Sequence, residues 1–201
     1  MKKTLLGILF LFLCIPAMNA DNIKLYTTLN NYINNIYEVP SGIELRSLDE
    51  PHQLLQNKAA YYFWTTDRSM AYTIARKVFI VECEGKLYAN AQLLSYERQS
   101  LSKGFVAFNF KDGKFFFECV TKKNLKAFVF SPISKRVSEL KAEDLKALLQ
   151  DNEELLTSYM QLEKTATPKD LLYYMRTYFI QKAKSNKSTE KWDPNKIVIG
   201  Q

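Results

Sequence analysis

Residues with catalytic or metal-binding chemistry are few in this chain, and the familiar motifs built from them are absent. His52 is the single histidine, which excludes metal sites made from two or more histidines, such as those of His-Glu-x-x-His zinc proteases. The chain has no Cys-x-x-Cys pair, and its six glycines form neither Gly-x-Gly-x-x-Gly nor Gly-x-x-x-x-Gly-Lys. The sequence therefore predicts no metal site, no cofactor and no phosphate-binding loop.

A cysteine nucleophile is the first chemistry that stays open. Cys83 or Cys119 could act with His52, provided that the thiol and the imidazole lie within hydrogen-bond reach of each other. His52, however, stands in a Glu-Pro-His-Gln segment typical of an exposed helix start, and no Gly-x-Ser-x-Gly is present. We favour a surface histidine over a catalytic base.

A pair of carboxylates is the second chemistry that stays open. Glu82 and Glu118 lie in predicted strands, and two carboxylates are the acid–base apparatus of most glycosidases. Carboxylates at alternating strand positions more often face solvent or form salt bridges. We therefore favour a structural role for both.

Aromatic residues form the third candidate, a binding surface. The predicted strand over 59–64 carries aromatics at four successive positions, 61–64, so rings point to both faces of a sheet. At least one ring lies outside the core unless a helix covers it, and Tyr62 and Trp64 are the residues we assign to a glycan or protein partner. The alternative, which we favour for the cluster as a whole, is core packing in a sheet covered on both sides.

The elements that position these residues centre on residues 77–120, whose period-2 pattern predicts a four-stranded antiparallel core. Residues 105–111 and 114–120 flank an Asp-Gly pair, a preferred type I′ hairpin turn. The register that this turn sets would bring apolar side chains to one face of the sheet. It pairs Lys111 with Lys114, Phe110 with Phe115, Phe108 with Phe117, and Val106 with Cys119.

A second predicted hairpin joins residues 78–83 to 87–91 through Glu84-Gly85, and residues 94–103 read as a polar surface loop. In a flat four-stranded meander Cys83 and Cys119 would stand about 14 Å apart, at roughly 4.8 Å per strand. A disulfide needs Cα atoms within about 7 Å, so we predict that both thiols are free.

The flanking segments predict short elements. Before the central hairpins these are a helix over 29–33 capped by Thr27 or Thr28, a strand over 42–46 and a helical turn near Pro51. After them come a strand over 127–130 and three helices. The first helix covers 142–150, the second begins after a cap at Asp151, and the third begins at Pro168. Residues 68–75 are ambiguous. The predicted fold class is α+β: an antiparallel sheet of about five to seven strands in a hairpin meander, packed with a short N-terminal helix and a C-terminal cluster of three short helices.

Residues 1–20 have the form of a secretory signal peptide, with a basic start, an apolar run over 5–15 and small residues up to Ala20. The apolar run is shorter than the roughly 20 residues of a membrane span. Leu13 occupies a position where a lipoprotein site at Cys14 requires a small residue. We expect a secreted or periplasmic protein, cleaved near Ala20, with no lipid anchor and no transmembrane segment in the mature chain.

Removal of 20 of the 201 residues leaves 181, which fits one domain. We place the domain over 21–184 and a flexible, polar tail over 185–201. Loss of Lys2 and Lys3 lowers the formal net charge from +7 to +5. This charge is moderate and dispersed, so we predict no nucleic-acid partner.

The segments LYTTLNNYINN at 25–35 and GKLYAN at 85–90, with a phenylalanine-rich strand after a glycine turn, resemble small exported proteins of Bacteroides-type bacteria that form an uncharacterised family. The resemblance implies a periplasmic or outer-membrane-facing protein and supplies no catalytic residue. Two functional hypotheses follow. The favoured one is a non-enzymatic binding or scaffold component of the cell envelope, with an unknown protein or glycan partner; the alternative is a hydrolase with a cryptic Cys or Glu site.

Overall fold

The computed structural model describes residues 23–185. The predicted signal peptide over 1–20 lies outside the described residues, as do residues 186–201 of the predicted tail. Within the described part the fold is α+β and mostly antiparallel, which confirms the predicted class. No helix in this part of the chain combines the length and apolar character needed to cross a membrane.

The strands in chain order are β1 (Ile23–Tyr26), β2 (Glu44–Ser47), β3 (Tyr61–Trp64), β4 (Ile80–Cys83), β5 (Lys86–Asn90), β6 (Ser95–Tyr96), β7 (Gln99–Ser100), β8 (Phe105–Ala107), β9 (Asn109–Lys111), β10 (Lys114–Thr121), β11 (Asn124–Ser131) and β12 (Arg136–Glu139). The helices are α1 (Leu29–Ile33), α2 (Glu50–Gln56), α3 (Arg68–Lys77), α4 (Ala142–Leu149), α5 (Glu153–Leu162) and α6 (Pro168–Ser185).

The predicted four-stranded core over 77–120 is divided between two large sheets. Sheet A has six strands in the order β1-β4-β5-β8-β3-β2, and sheet B has four in the order β12-β11-β10-β9. Strands β6 and β7 form a small hairpin of their own within the predicted loop. The predicted four-stranded core is therefore wrong in its arrangement, because β4, β5 and β8 belong to sheet A while β9 and β10 belong to sheet B.

The Asp-Gly turn sets the start of the predicted register. Lys111 stands opposite Lys114 and Phe110 opposite Phe115, as predicted. Both residues of the turn have positive φ, 49° for Asp112 and 76° for Gly113, as a type I′ turn requires.

The rest of that register is wrong, because the chain passes from sheet A to sheet B between β8 and β9. Val106 pairs with Ala89 of sheet A, and Cys119 pairs within sheet B. Phe108 lies between the two sheets, with its ring centroid 5.3 Å from that of Phe117. A continuous hairpin would leave one face of these rings uncovered, whereas the crossing places the small residues of sheet A against them.

Three buried clusters divide the core into layers. The inter-sheet cluster joins Ala89 and Val106 of sheet A to the rings of Phe115, Phe117, Phe128 and Phe130 of sheet B. The α3-side cluster covers the other face of sheet A with Ile74 of α3, among others. The C-terminal cluster packs α4, α5 and α6 on the other face of sheet B. The order is therefore helix, sheet, sheet, helices.

The helices begin close to the predicted positions, with three differences. The ambiguous segment is α3, capped by Asp67, whose carboxylate accepts hydrogen bonds from the backbone N–H of Ser69 and Met70. Asn152, and not Asp151, caps α5. Helix α6 has 18 residues and is not short; it runs to Ser185, one residue into the predicted tail.

Candidate functional site

Strand β2 is one edge of sheet A, and β3 is its neighbour. Their antiparallel register sets Arg46 opposite Tyr62 and Glu44 opposite Trp64. Directly opposed residues point to the same face of a sheet, so these four side chains share one face. We call them the edge patch.

Side chains of the edge patch hold one another in place. The Arg46 guanidinium carbon lies 4.2 Å from the centroid of the Trp64 ring, a cation–π contact. The same guanidinium donates to the Glu44 carboxylate, with Nη2 2.8 Å from Oε2. Trp64 nevertheless keeps 39% of its surface exposed. The patch is thus an ordered aromatic and charged surface in contact with water.

The opposite face of the same strands is core. Leu45 and Phe63 are buried in the α3-side cluster, and the Phe63 ring meets that of Phe105 edge to face, with centroids 4.8 Å apart. The four successive aromatics therefore divide by alternation. Tyr61 and Phe63 pack inward, and Tyr62 and Trp64 form part of the edge patch.

The outer side of β2 pairs with no other described strand. Leu48 donates its N–H to the Ala60 carbonyl at 2.6 Å, which makes that pair a hydrogen-bonded one. Alternation along an antiparallel ladder then directs the N–H and C=O of Leu45 and Ser47 away from β3. Within residues 23–185, β3 is the sole sheet partner of β2. This edge is therefore unpaired among the described residues.

The structure does not bring the predicted cysteine chemistry together. Cys83 and Cys119 are free, as predicted, and they are buried in different clusters. Burial raises the pKa of both thiols, that of Cys119 to about 12, which disfavours the thiolate. His52 lies on the surface, where its Nδ1 is 2.6 Å from Asp49 Oδ1.

The two candidate carboxylates are also separated. Glu118 of sheet B accepts a hydrogen bond from Arg176 of α6, with Nε 2.6 Å from Oε2. Glu82 of sheet A is bound by Lys24 at 3.3 Å and by the Tyr26 hydroxyl at 3.1 Å. Each carboxylate forms a salt bridge to a neighbouring element, in agreement with the structural role that we favoured.

Metal-ligating side chains are dispersed in the same way. Within residues 23–185, no three His, Cys, Asp or Glu side chains are grouped as a metal site.

Sequence reasoning missed a cleft. It has a volume of about 480 Å³ and lies where the N-terminal end of α1, the segment before β4, the segment around Leu93 and the β11–β12 hairpin meet. Its lining residues come from parts of the chain that are far apart in sequence, so no local pattern could have revealed it.

Comparisons with protein-family models, with curated proteins and with solved structures give no match for this chain.

Proposed function

We propose that this protein is an exported component of the cell envelope that binds a partner protein by accepting an extended segment along β2. The partner's strand would extend sheet A by one, and the edge patch would contact its side chains. The open backbone at Leu45 and Ser47, beside an exposed Trp64, is the observation that carries the proposal.

The composition of the edge patch supports a protein partner. Trp, Tyr and Arg are the residue types most enriched among those that dominate binding energy at protein interfaces. The contacts of Arg46 with Glu44 and with Trp64 fix the patch before binding, which lowers the entropy lost on association. A glycan is the weaker choice, since Arg46 already stacks on the indole ring that a sugar would need.

Export is supported by the signal-peptide pattern over 1–20. Mass spectrometry of the protein from its native host should give a chain that begins at Asp21. A mass that retains residues 1–20, or lipid on Cys14, would contradict this part of the proposal.

The partner can be identified by site-specific photo-crosslinking. A benzophenone amino acid in place of Ser47 should crosslink to one envelope protein, and the same probe in place of Tyr173, which is 62% exposed on α6, should not. Synthetic peptides that span the crosslinked segment then allow the affinity to be measured directly.

Two substitutions test the mode of binding. Ser47→Pro removes an outward N–H that pairs with no strand among residues 23–185, so it should abolish peptide binding and leave the melting temperature nearly unchanged. Ser47→Ala is the matched control and should bind normally. Trp64→Ala should weaken binding by about 2 kcal/mol, with the fold intact by circular dichroism.

Three results would overturn the proposal. Normal peptide binding by Ser47→Pro would exclude strand addition. Retention on a glycan array that Trp64→Ala abolishes would favour a glycan partner. Turnover of peptidoglycan, peptides or host glycans that Cys119→Ala or Glu118→Gln abolishes would favour the hydrolase alternative.

A further inference from the structure

The cleft lies at one end of the inter-sheet cluster. Phe79 and Phe130, whose ring centroids are 6.3 Å apart, line it together with the buried Leu94 and the half-buried Val137. The volume of about 480 Å³ falls within the range of small-molecule sites, roughly 300–1,000 Å³. The cleft therefore shares apolar lining residues with the inter-sheet cluster.

Two exposed apolar residues lie in the lining or close to a lining residue in sequence. Leu93, which lines the cleft, is 39% exposed, and Ile133, two residues before the lining residue Lys135, is 68% exposed. Burial of exposed apolar groups by a hydrocarbon chain makes the free energy of binding more favourable.

The lining of the cleft also contains polar groups. Lys135 is the one charged residue among the described residues that line it, and its ammonium group takes part in no ion pair within residues 23–185. The hydroxyls of Thr27 and Thr28, also in the lining, accept hydrogen bonds from Asn31, so each keeps its own hydrogen to donate. A cation and two donors suit a single anionic group.

We propose that this cleft binds a linear acyl chain that ends in a carboxylate. The chain would lie against Phe79, Leu94 and Phe130, and the carboxylate would accept hydrogen bonds from Lys135 and from the threonine hydroxyls. The site is separate from the edge patch, since no residue of β2 or β3 lines the cleft.

Calorimetric titration with decanoate tests the proposal on the full chain. Saturable binding should appear below the concentration at which decanoate forms micelles. Decanol, which has the same chain length and no charge, should bind about tenfold more weakly, the factor expected from one charge-assisted hydrogen bond.

Two pairs of variants locate the site. Lys135→Gln should weaken decanoate about tenfold, whereas Lys123→Gln should have no effect; both lysines occupy hairpin turns with positive φ, 53° and 62°. Leu93→Asp should abolish binding because it sets a carboxylate in the lining, whereas Leu55→Asp, at a position 78% exposed on α2, should not. In the native protein, nuclear Overhauser effects should be seen from decanoate methylenes to the rings of Phe79 and Phe130. This measurement does not depend on the folding of any variant.

Absence of saturable binding would overturn the proposal, as would nuclear Overhauser effects that exclude Phe79 and Phe130. Equal affinity for decanol and decanoate, together with an unchanged Lys135→Gln variant, would contradict recognition of the carboxylate. Ser47→Pro should bind decanoate normally, so the test of decanoate binding is independent of the test of peptide binding at β2.

Discussion

Lys111, the last residue of β9, reaches Asp151 in the turn between α4 and α5, and its Nζ lies 2.7 Å from Asp151 Oδ1. Lys182 of α6 approaches the other carboxylate oxygen at 2.8 Å. The Tyr178 hydroxyl donates to both oxygens, at 3.0 and 3.1 Å. One carboxylate thus fastens sheet B to the helices that cover it.

Replacement of this carboxylate by Asp151→Asn should lower the free energy of unfolding by about 1 kcal/mol, since charge-assisted hydrogen bonds are replaced at a partly exposed site. The melting temperature should fall by about 2–4 °C. Glu154→Gln, an exposed residue of α5, is the control and should change stability by less than about 0.5 kcal/mol. Equal stability of the two variants would contradict the role given to Asp151.

The same carboxylate predicts a pH dependence. Partial burial disfavours its charge, but the hydrogen bonds from Lys111, Lys182 and Tyr178 outweigh this and hold the pKa of Asp151 well below its usual range. A pKa that is lower in the folded state contributes stability that is present above the unfolded value, about 3.9, and is lost as the pH falls toward the folded value. In urea unfolding, the difference in free energy of unfolding between the native protein and Asp151→Asn should be smaller at pH 2.5 than at pH 7. A constant gap would refute the assignment.

Asn90 is a buried polar residue on which a second prediction depends. It is 1% exposed, and its Nδ2 donates to the carbonyls of Ile74, Ala75 and Val78 at the end of α3, at 3.2, 3.0 and 2.9 Å. Asn90→Leu would leave these carbonyls without a donor and should cost about 2–3 kcal/mol in urea unfolding. Asn109→Leu, at an exposed position of β9, is the control. A loss below about 0.5 kcal/mol for Asn90→Leu would show that water replaces the amide.

Alanine substitutions at Gly104 and Gly113 distinguish the cost of backbone strain from the cost of a steric clash. Gly104 has φ +96°, and a Cβ there would stand 2.7 Å from the Tyr61 carbonyl oxygen, whereas Gly113 has φ +76° and nothing within 4 Å. Gly113→Ala should cost about 1 kcal/mol for its conformation alone. Gly104→Ala should cost about 3 kcal/mol or more, because β3 must also move away from the chain that enters β8. Equal losses in thermal unfolding would disprove the close approach.

The thiols give a test of burial. Because burial raises the pKa of Cys119 to about 12, it should resist a disulfide reagent at pH 8 in the native protein, and so should the buried Cys83. In denaturant without reductant, both should react, and peptide mass spectrometry should locate the label on each. A disulfide-linked peptide that contains Cys83 and Cys119 would contradict the structure.

Local chemistry was readable from the sequence. The Asp-Gly turn with its Lys111–Lys114 and Phe110–Phe115 pairs, the cap at Thr27 or Thr28, which is Thr28 in the structure, and the helix start at Pro168 each depend on residues within a few positions of one another. The fold class followed from the same patterns, and so did the surface position of His52.

Tertiary structure decided how these pieces combine. A period-2 pattern fixes which residues share a face, but not which sheet a strand joins, and the assignment of Val106 to sheet A depends on Ala89 being small enough to admit the rings of sheet B. The same limit applies to the surfaces. The sequence pointed to Tyr62 and Trp64 because four successive aromatics in one strand must place rings on both of its faces. Arg46 joined them through cross-strand pairing, and the cleft is lined by segments that are distant along the chain. Contacts between residues distant along the chain are set by packing of the whole core, and no local segment encodes them.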